Sequence, residues 1–346
     1  TRNLGEAIAI AAERLLQPRF DPQDFARAKT QTLQAIEQSK KQAANTAQVV
    51  YQLLLMGQNN PVAHLNIGTA ETVSNITLDD VRAFYKQRYS PRIANIIAVS
   101  NLESNDLLQH LGAFSDWQGG DVADVSMLPF PAQGPTKIYL IDKPGAASSE
   151  IMMGRLALSY DAAGEYYRAR LSNYALGAAF NSRINLNLRE DKGYSYGAGS
   201  YFQGQKDYGF FSASAAVRTN ATAASIREFE NEIRNYVENG ITPEELSFTR
   251  SAIGQRDARD FETPSQKLSF LSRIQRYNLP DNFIDQQNAI LASVSATELD
   301  TIARKHMLMD QMVIVVVGDR AVIESDLQAL GYPLVHLDES GNRRDG

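Results

Sequence analysis

The sequence predicts an α+β fold made of two homologous domains, the first of them truncated at its N-terminus. Each domain is expected to be a mainly antiparallel or mixed sheet with helices packed on it. Three observations support this prediction: an internal repeat, helical periodicity that alternates with β-branched runs, and a connector rich in proline and glycine. The 346 residues, 43% of them hydrophobic, are enough for two cores of ordinary size.

The internal repeat is found in two pairs of segments. Residues 74–101, SNITLDDVRAFYKQRYSPRIANIIAVSN, align without a gap on residues 292–319, ASVSATELDTIARKHMLMDQMVIVVVGD, at an offset of 218 residues. FDPQDFARAK from Phe20 and ITPEELSFTR from Ile241 align at an offset of 221. Two matches in the same order at nearly the same offset indicate a duplicated domain.

Each copy of the longer segment predicts a polar cap, an amphipathic helix, a short turn and an apolar strand. The aligned apolar residues are expected to be buried in both copies. The aligned pairs are Ile76/Val294, Val81/Leu299, Phe84/Ile302, Ile96/Ile314 and Val99/Val317.

The predicted domain boundaries follow from the connector. Residues 119–135 carry three glycines and three prolines, which is typical of an extended linker. Residues 1–118 are therefore the C-terminal part of the first repeat, and residues 136–336 are the complete second repeat. Residues 337–346 form a polar tail that we expect to be frayed.

The first copy opens with helices. Helical periodicity covers residues 4–16 and 22–42, and the second helix has Asp21 at its N-cap and Pro22 at its first position. Its predicted buried face consists of Phe25, Ala28, Thr32 and Ile36. By the register of the repeat, about ninety residues of strands and helix would precede these helices.

The second copy begins with strands. Residues 137–142 and 150–158 read as strands separated by a Pro-Gly turn, and residues 198–203 and 208–217 read as a second strand pair. Helices are predicted over residues 165–176 and 221–238, and a helical stretch over residues 181–191.

Composition excludes several classes of function. Thirty-four basic and forty acidic residues give a net charge of −6 with no basic cluster, which argues against nucleic acid as a partner. The chain has no cysteine, and its four histidines have no helical metal-binding spacing: His64, His110, His306 and His336. No apolar run reaches the roughly 18 residues of a membrane span. The lack of cysteine favours a periplasmic or secreted protein, with the cytoplasm as the alternative.

The motif Gly193-Tyr194-Ser195-Tyr196-Gly197 spells G-x-S-x-G, the nucleophile elbow of α/β-hydrolases. An elbow needs a strand before the serine and a helix after it, and here the predicted order is the reverse. The competing interpretation is a helix that ends at Gly193 and a strand that follows it. A strand carrying Tyr196 after a helix end carrying Arg189 would bring together a phenol and a guanidinium able to stabilise an oxyanion.

Three segments carry a resemblance to a known family: residues 175–202 (ALGAAFNSRINLNLREDKGYSYGAGSYF), TLDDVRAFYKQRYSPRIANIIAVSN and FDPQDFARAKTQTLQAIEQ. Through these three segments, the chain resembles the insulinase/pitrilysin family of inverted-motif zinc peptidases, which includes the mitochondrial processing peptidase. The resemblance implies two homologous halves that close around a chamber, one of which carries H-x-x-E-H. The other half contributes an arginine and, seven positions later, a tyrosine, which fall on Arg189 and Tyr196. Arg189 would hold the substrate backbone and Tyr196 would polarise the scissile carbonyl.

The departures from the family pattern concern the metal. The sequence contains no H-x-x-E-H, and Ala35 stands where the resemblance places the third zinc ligand, a glutamate. The resemblance therefore implies the C-terminal, non-catalytic half, which is inactive alone and has no metal ligands of its own. Zinc is expected in an H-x-x-E-H partner half, on the same polypeptide or a separate subunit, and peptides are the expected substrates. A scaffold protein of the same fold is the alternative, and a serine hydrolase using Ser195 is the weaker one.

Overall fold

The computed structural model describes residues 3–257 and 261–344. The described part contains one mixed six-stranded sheet, and its strands are β1 (Lys137–Asp142), β2 (Ser148–Leu156), β3 (Ser195–Gly204), β4 (Gly209–Arg218), β5 (Val313–Gly318) and β6 (Leu334–Leu337). Their order across the sheet is β3-β4-β2-β5-β1-β6. The predicted α+β class with a mixed sheet is confirmed. Within the described residues, no helix is both long and apolar enough to cross a bilayer.

The helices of the described part confirm most of the predicted helical segments. In chain order they are α1 (Leu4–Leu16), α2 (Pro22–Lys40), α3 (Ala43–Met56), α4 (Ala70–Asn75), α5 (Leu78–Arg88), α6 (Ser104–Leu111), α7 (Glu165–Asn173), α8 (Arg183–Asn185), α9 (Thr222–Asn239), α10 (Pro243–Asp257), α11 (Pro264–Tyr277), α12 (Phe283–Ser293), α13 (Ala296–His306) and α14 (Arg320–Gln328).

Strand β5 lies inside the sheet because its sequence is apolar on both faces. It pairs in parallel with β1 and antiparallel with β2. All residues from Ile314 to Val317 are buried. Consecutive β-branched residues suit a strand covered on both sides, where every side chain meets apolar neighbours.

Helices cover both faces of the sheet. Ile314 and Val316 face a core that also contains apolar residues of α7, α9, α13 and α14. Val315 and Val317 point to the opposite face, where they pack with α3. On that face the Tyr51 hydroxyl donates to the Phe211 carbonyl at 3.2 Å, and complete burial raises the pKa of Tyr51.

The described chain divides into two compact units, each formed from separate stretches of sequence. The first contains residues 1–38, 66–126 and 261–272, and the second contains residues 39–65, 127–260 and 273–346. Helix α3, which follows α2, is thus part of the second unit, while most of α11 is part of the first. The repeat boundaries at residues 118 and 136 stay a prediction.

The strand predicted in the first repeat is wrong. Residues 94–100 form no strand, and Ile96 is 55% exposed. Its aligned partner Ile314 lies in β5, between β1 and β2, whereas the described residues of the first unit offer no strand for pairing. An extended segment without neighbouring strands gains no ladder hydrogen bonds and no sheet face to pack against.

Burial in the first copy is also lower than predicted. Ile76 and Phe84 are exposed, although their aligned partners Val294 and Ile302 are buried. On α2, Asp21 accepts hydrogen bonds from the N–H groups of Gln23 and Asp24, so the predicted N-cap is confirmed. Its predicted buried face is mostly wrong.

The burial of that α2 face differs residue by residue. Only Ile36 of the four predicted residues is buried; Phe25 and Thr32 are half-buried, and Ala28 is exposed. A helix with a correct cap and correct periodicity still buries its apolar stripe only where another element covers it.

The C-terminal tail was expected to be frayed, and this prediction is wrong up to residue 344, the last residue that the structure describes. Strand β6 includes His336, and Leu337 at its end is buried. The Asp338 carboxylate then accepts hydrogen bonds from the backbone N–H groups of Ser340 and Asn342, which closes a turn. Residues 345–346 lie outside the described part.

Candidate functional site

The candidate site lies where a helical segment meets the first residues of β3. Helix α7 continues into a π-helical turn, Tyr174–Ala178, and α8 continues into a second one, Leu186–Asp191. Helix was predicted over 165–176 and 181–191, and both are helical. The π-helical geometry was not predicted. Such turns occur frequently at functional sites because they displace side chains from regular helical positions.

The second helical segment ends as the sequence predicted. Gly193 has φ +60°, the left-handed conformation that glycine adopts most easily at a helix end. The N–H of Lys192 donates to the Asn187 carbonyl at 2.9 Å, and that of Tyr194 donates to the Leu188 carbonyl at 2.8 Å. These two bonds satisfy carbonyls left open at the helix end and turn the chain into β3.

Tyr196 lies in a β-bulge. Ser195 pairs with Val217 and Ala198 pairs with Ala215, so Tyr196 and Gly197 both face a single residue of β4. A bulge inserts one extra residue, bends its strand and redirects a side chain. The Tyr196 side chain is fully exposed to solvent.

Ser195 stabilises this bulge through its hydroxyl group. The hydroxyl accepts a hydrogen bond from the Gly197 N–H at 3.0 Å and donates to the Gly197 carbonyl at 2.6 Å. A helical segment precedes the serine and a strand follows it, which confirms the order predicted against a nucleophile elbow. Both hydrogen-bond partners are backbone groups, and neither can act as the base that a serine nucleophile needs.

The Arg189 guanidinium contacts two residues that are near it in sequence, Phe180 and Glu190. Its Cζ lies 4.6 Å from the centroid of the Phe180 ring, and its Nε lies 3.4 Å from Glu190 Oε1. The Phe180 residue is 72% exposed, so the guanidinium and the ring form an open platform. Because the Tyr196 ring is uncovered, the structure does not bring the Arg189 and Tyr196 side chains into contact. A π-helical turn and a bulge present them separately, on either side of Gly193.

Partly buried polar contacts anchor the site segment to the helices behind it. Arg183 makes a bidentate ion pair with Glu245, with both N···O distances at 2.6 Å. The hydrogen bonds that Arg183 donates to Glu245 raise the pKa of Arg183. Asn187 Nδ2 donates to Glu228 at 2.9 Å and to Glu232 at 2.7 Å, which ties the Arg189 turn to α9.

Three side chains cap the outer edge of β3. Since every second residue of a strand directs its backbone N–H and C=O to the same edge, residues 198, 200 and 202 form one row. The Ala198 N–H donates to Asn185 Oδ1 at 3.0 Å. The Ser200 carbonyl accepts from Asn173 Nδ2 at 2.7 Å, and the Phe202 carbonyl accepts from the Tyr166 hydroxyl at 3.3 Å.

The sequence reasoning missed these capping residues. Asn173 and Asn185 occur within predicted helices, where asparagine is an unfavourable choice for an interior position. That mismatch between residue type and helical context is the signal that could have marked them.

The described residues do not fit a zinc ion. They contain no group of three or more His, Cys, Asp or Glu side chains able to hold a metal. His64 contacts the Gln58 carbonyl at 2.6 Å. His306 contacts Glu165 at 3.0 Å, and His336 contacts Glu324 at 2.9 Å, so each is engaged in a different part of the chain. Ala35 is an exposed residue of α2.

The chain is similar to several known proteins, and one family model matches about half of it. The family model described as the peptidase M16 inactive domain matches residues 75–253. The uncharacterized zinc protease SCO5738 of Streptomyces coelicolor is 24% identical over 256 residues, which cover 71% of this chain and 54% of that protein. The non-peptidase homolog YmxG of Helicobacter pylori is 21% identical over 317 residues, covering 91% of this chain and 72% of that protein.

A solved structure of a peptidase M16 inactive domain is also similar to this chain. The crystal structure of a peptidase M16 inactive domain from Pseudomonas fluorescens aligns with a TM-score of 0.80 at 25% identity, covering 90% of this chain and 74% of that one. The chain spans about half the length of the Streptomyces relative. The match to the family model covers 179 residues of this chain, including the predicted linker, the Arg189 turn and the Tyr196 bulge.

Proposed function

Because the chain belongs to the family of the peptidase M16 inactive domain, we propose that it is the substrate-binding, non-metal half of a zinc metallopeptidase. An H-x-x-E-H half, on the same polypeptide or on a separate subunit, closes with it around peptide substrates in a chamber. One observation carries the proposal: residues 175–202 present Arg189 and Tyr196 from two irregular elements, a π-helical turn and a β-bulge.

Arg189 suits the role of holding a substrate backbone. A guanidinium offers up to five N–H donors in a fixed plane, and peptide carbonyls are acceptors. Stacking on Phe180 restricts the orientations of the guanidinium before substrate arrives, so less side-chain entropy is lost on binding.

Tyr196 suits the role of an electrophilic assistant. Its exposed phenol can donate a hydrogen bond to the scissile carbonyl oxygen as negative charge develops there. A donor directed at that oxygen stabilises the transition state more than the ground state, and so it raises kcat. The metal of the partner half would supply the activated water.

Reconstitution with the H-x-x-E-H half tests the proposal. With a quenched fluorescent peptide library as substrate, Tyr196→Phe should lower kcat by about 100-fold to 1,000-fold, the usual loss of one oxyanion donor. The exposed Tyr89, on another part of the chain, supplies the matched control Tyr89→Phe, which should leave kcat unchanged. An unchanged rate for Tyr196→Phe removes the tyrosine from the mechanism. Stoichiometric zinc on the isolated chain would contradict the assignment of the metal to the other half.

A scaffold role without proteolysis is the second candidate. It is favoured by the Helicobacter pylori relative, which is named a non-peptidase homolog and aligns over most of this chain. Presence of both Arg189 and Tyr196 speaks against it. Isolating the natural complex distinguishes the two: co-purification of an H-x-x-E-H chain that cleaves peptides supports the peptidase, and a complex with no such chain supports the scaffold.

The proposed location is the periplasm or the outside of the cell, because a chain without cysteine suits an oxidising compartment. Fractionation of cells that produce the natural protein should recover it with periplasmic or secreted markers. Recovery with cytoplasmic markers would contradict this location and leave the peptidase proposal unaffected.

A further inference from the structure

Two buried asparagines attach the helical layer to β3, and they differ in what they connect. Asn173 is 1% exposed and exchanges two hydrogen bonds with one residue, Ser200. Asn185 is 5% exposed and bridges two segments. Its Nδ2 donates to the Phe180 carbonyl at 2.6 Å, and its Oδ1 accepts from the Ala198 N–H at 3.0 Å.

Of the two segments that Asn185 bridges, one contacts the Arg189 side chain and the other carries Tyr196. Phe180 is the platform on which the Arg189 guanidinium stacks. Ala198 is the residue at which β3 returns to register with β4 after the bulge that contains Tyr196. One buried amide therefore joins the platform under Arg189 to the end of the Tyr196 bulge.

We propose that Asn185 is a positioning residue that fixes the Tyr196 bulge relative to the Arg189–Phe180 platform. This inference rests on the proposed function of Arg189 and Tyr196. The position requires one donor and one acceptor at a fixed separation, which a primary amide provides and which neither a carboxylate nor an aliphatic side chain can reproduce. Loss of the amide leaves the part-buried Ala198 N–H and Phe180 carbonyl without these partners.

The capped edge of β3 increases the importance of this geometry. An extended peptide can add to a sheet only where edge N–H and C=O groups are open. Along β3 the Ala198 N–H and the Ser200 and Phe202 carbonyls are engaged by side chains, and Gly197 is engaged by Ser195. These contacts occupy part of the edge, so we expect substrate to meet the site mainly through the side chains of Arg189 and Tyr196. A displacement of about 1 Å between such groups can cost about 100-fold in rate.

The test uses the reconstituted peptidase and the same peptide library. Asn185→Leu should lower kcat by about 10-fold to 100-fold with a smaller change in KM. Asn173→Leu, the matched control, removes the other buried amide of the same edge and should destabilise the fold to a similar degree with little effect on kcat. The near-isosteric Asn185→Asp keeps the acceptor for Ala198 and loses the donor to Phe180, so its kcat should lie between those of Asn185→Leu and the wild type.

A double-mutant cycle separates positioning from general destabilisation. If Asn185 acts through Tyr196, Asn185→Leu should cost little further activity in a Tyr196→Phe background. Fully additive losses, or an equal kcat loss in Asn173→Leu, would overturn the positioning role and leave the proposed function standing. A wild-type rate in Tyr196→Phe itself would instead overturn the proposed function.

Discussion

Helices α5 and α13 are two copies of one sequence pattern, and they differ in what covers them. Both begin with a capping box: Thr77 with Asp80 in α5, and Ser295 with Glu298 in α13. Helix α13 buries four residues against neighbouring elements, including Leu299 and Ile302 of the sheet core, whereas α5 buries none. Local sequence therefore forms the helix in both copies, and tertiary partners decide how much of it stabilises the fold.

The segments that follow these helices show the same contrast. Residues 313–318 form β5 at the interior of the sheet, and residues 94–100 form no strand. Both contain isoleucine and valine, although β5 contains more of them, so β-propensity accounts for only part of the difference. In the second copy, β5 has two neighbouring strands, β1 and β2. The described part of the first unit has no strand that could pair with residues 94–100.

The largest expected effect is on core packing. Ile314→Ala should lower the free energy of unfolding by about 2–5 kcal/mol, because it opens a cavity at a fully buried site. Ile96→Ala, at the aligned position, should change it by less than about 0.5 kcal/mol, since that side chain is more than half exposed. Urea unfolding followed by circular dichroism measures both. Equal losses would contradict the contrast between the copies.

A smaller effect on the free energy of unfolding is expected at Glu245 of α10 and Asp24 of α2, which the repeat aligns. Glu245 makes its bidentate pair with Arg183 where both side chains are mostly buried. Glu245→Gln should cost about 2 kcal/mol, because a buried guanidinium loses its charged partner. Asp24→Asn should cost at most about 1 kcal/mol, since Asp24 pairs with the exposed Arg19 and Arg27. Thermal unfolding of the two variants provides the measurement, and a larger loss for Asp24→Asn would reverse the ranking.

The smallest effect concerns the two capping boxes, and here the copies should agree. Hydrogen bonds from Thr77 lower the pKa of Asp80, and hydrogen bonds from Ser295 lower that of Glu298. Both carboxylates therefore stabilise the folded state at pH values above their ordinary pKa. This contribution is lost as the pH falls through the lowered pKa. NMR titration should find both values depressed, and Thr77→Val should return that of Asp80 toward normal. A depressed pKa in one copy only would show that the caps are not equivalent.

Local features of this fold could be predicted from the sequence, and non-local ones could not. The bounds of α1 and β1, the Asp21 cap and the helix end at Gly193 depend on a few neighbouring residues. The absence of a strand at Ile96 and the exposure of Phe84 depend on which distant elements cover them.

The site divides in the same way. Arg189 and Tyr196 were located by their seven-residue spacing in a family-like segment, and the family itself is confirmed. The bulge at Tyr196 was not predicted, because it depends on the register between β3 and β4. The bridge made by Asn185 depends on a contact with Ala198, thirteen residues along the chain. The roles of Arg189 and Tyr196 stay predictions until the cleavage assay is made.

The assignment of α3 to the second unit has a consequence for synthesis of the chain. Helix α3 emerges from the ribosome about 80 residues before β1, so Val50 and Tyr51 have no sheet to cover during that interval. Cutting the chain within residues 119–135 would likewise separate α3 from the strands that it shields. We expect such fragments to be poorly soluble alone and to regain the fold only by complementation, when both are present together.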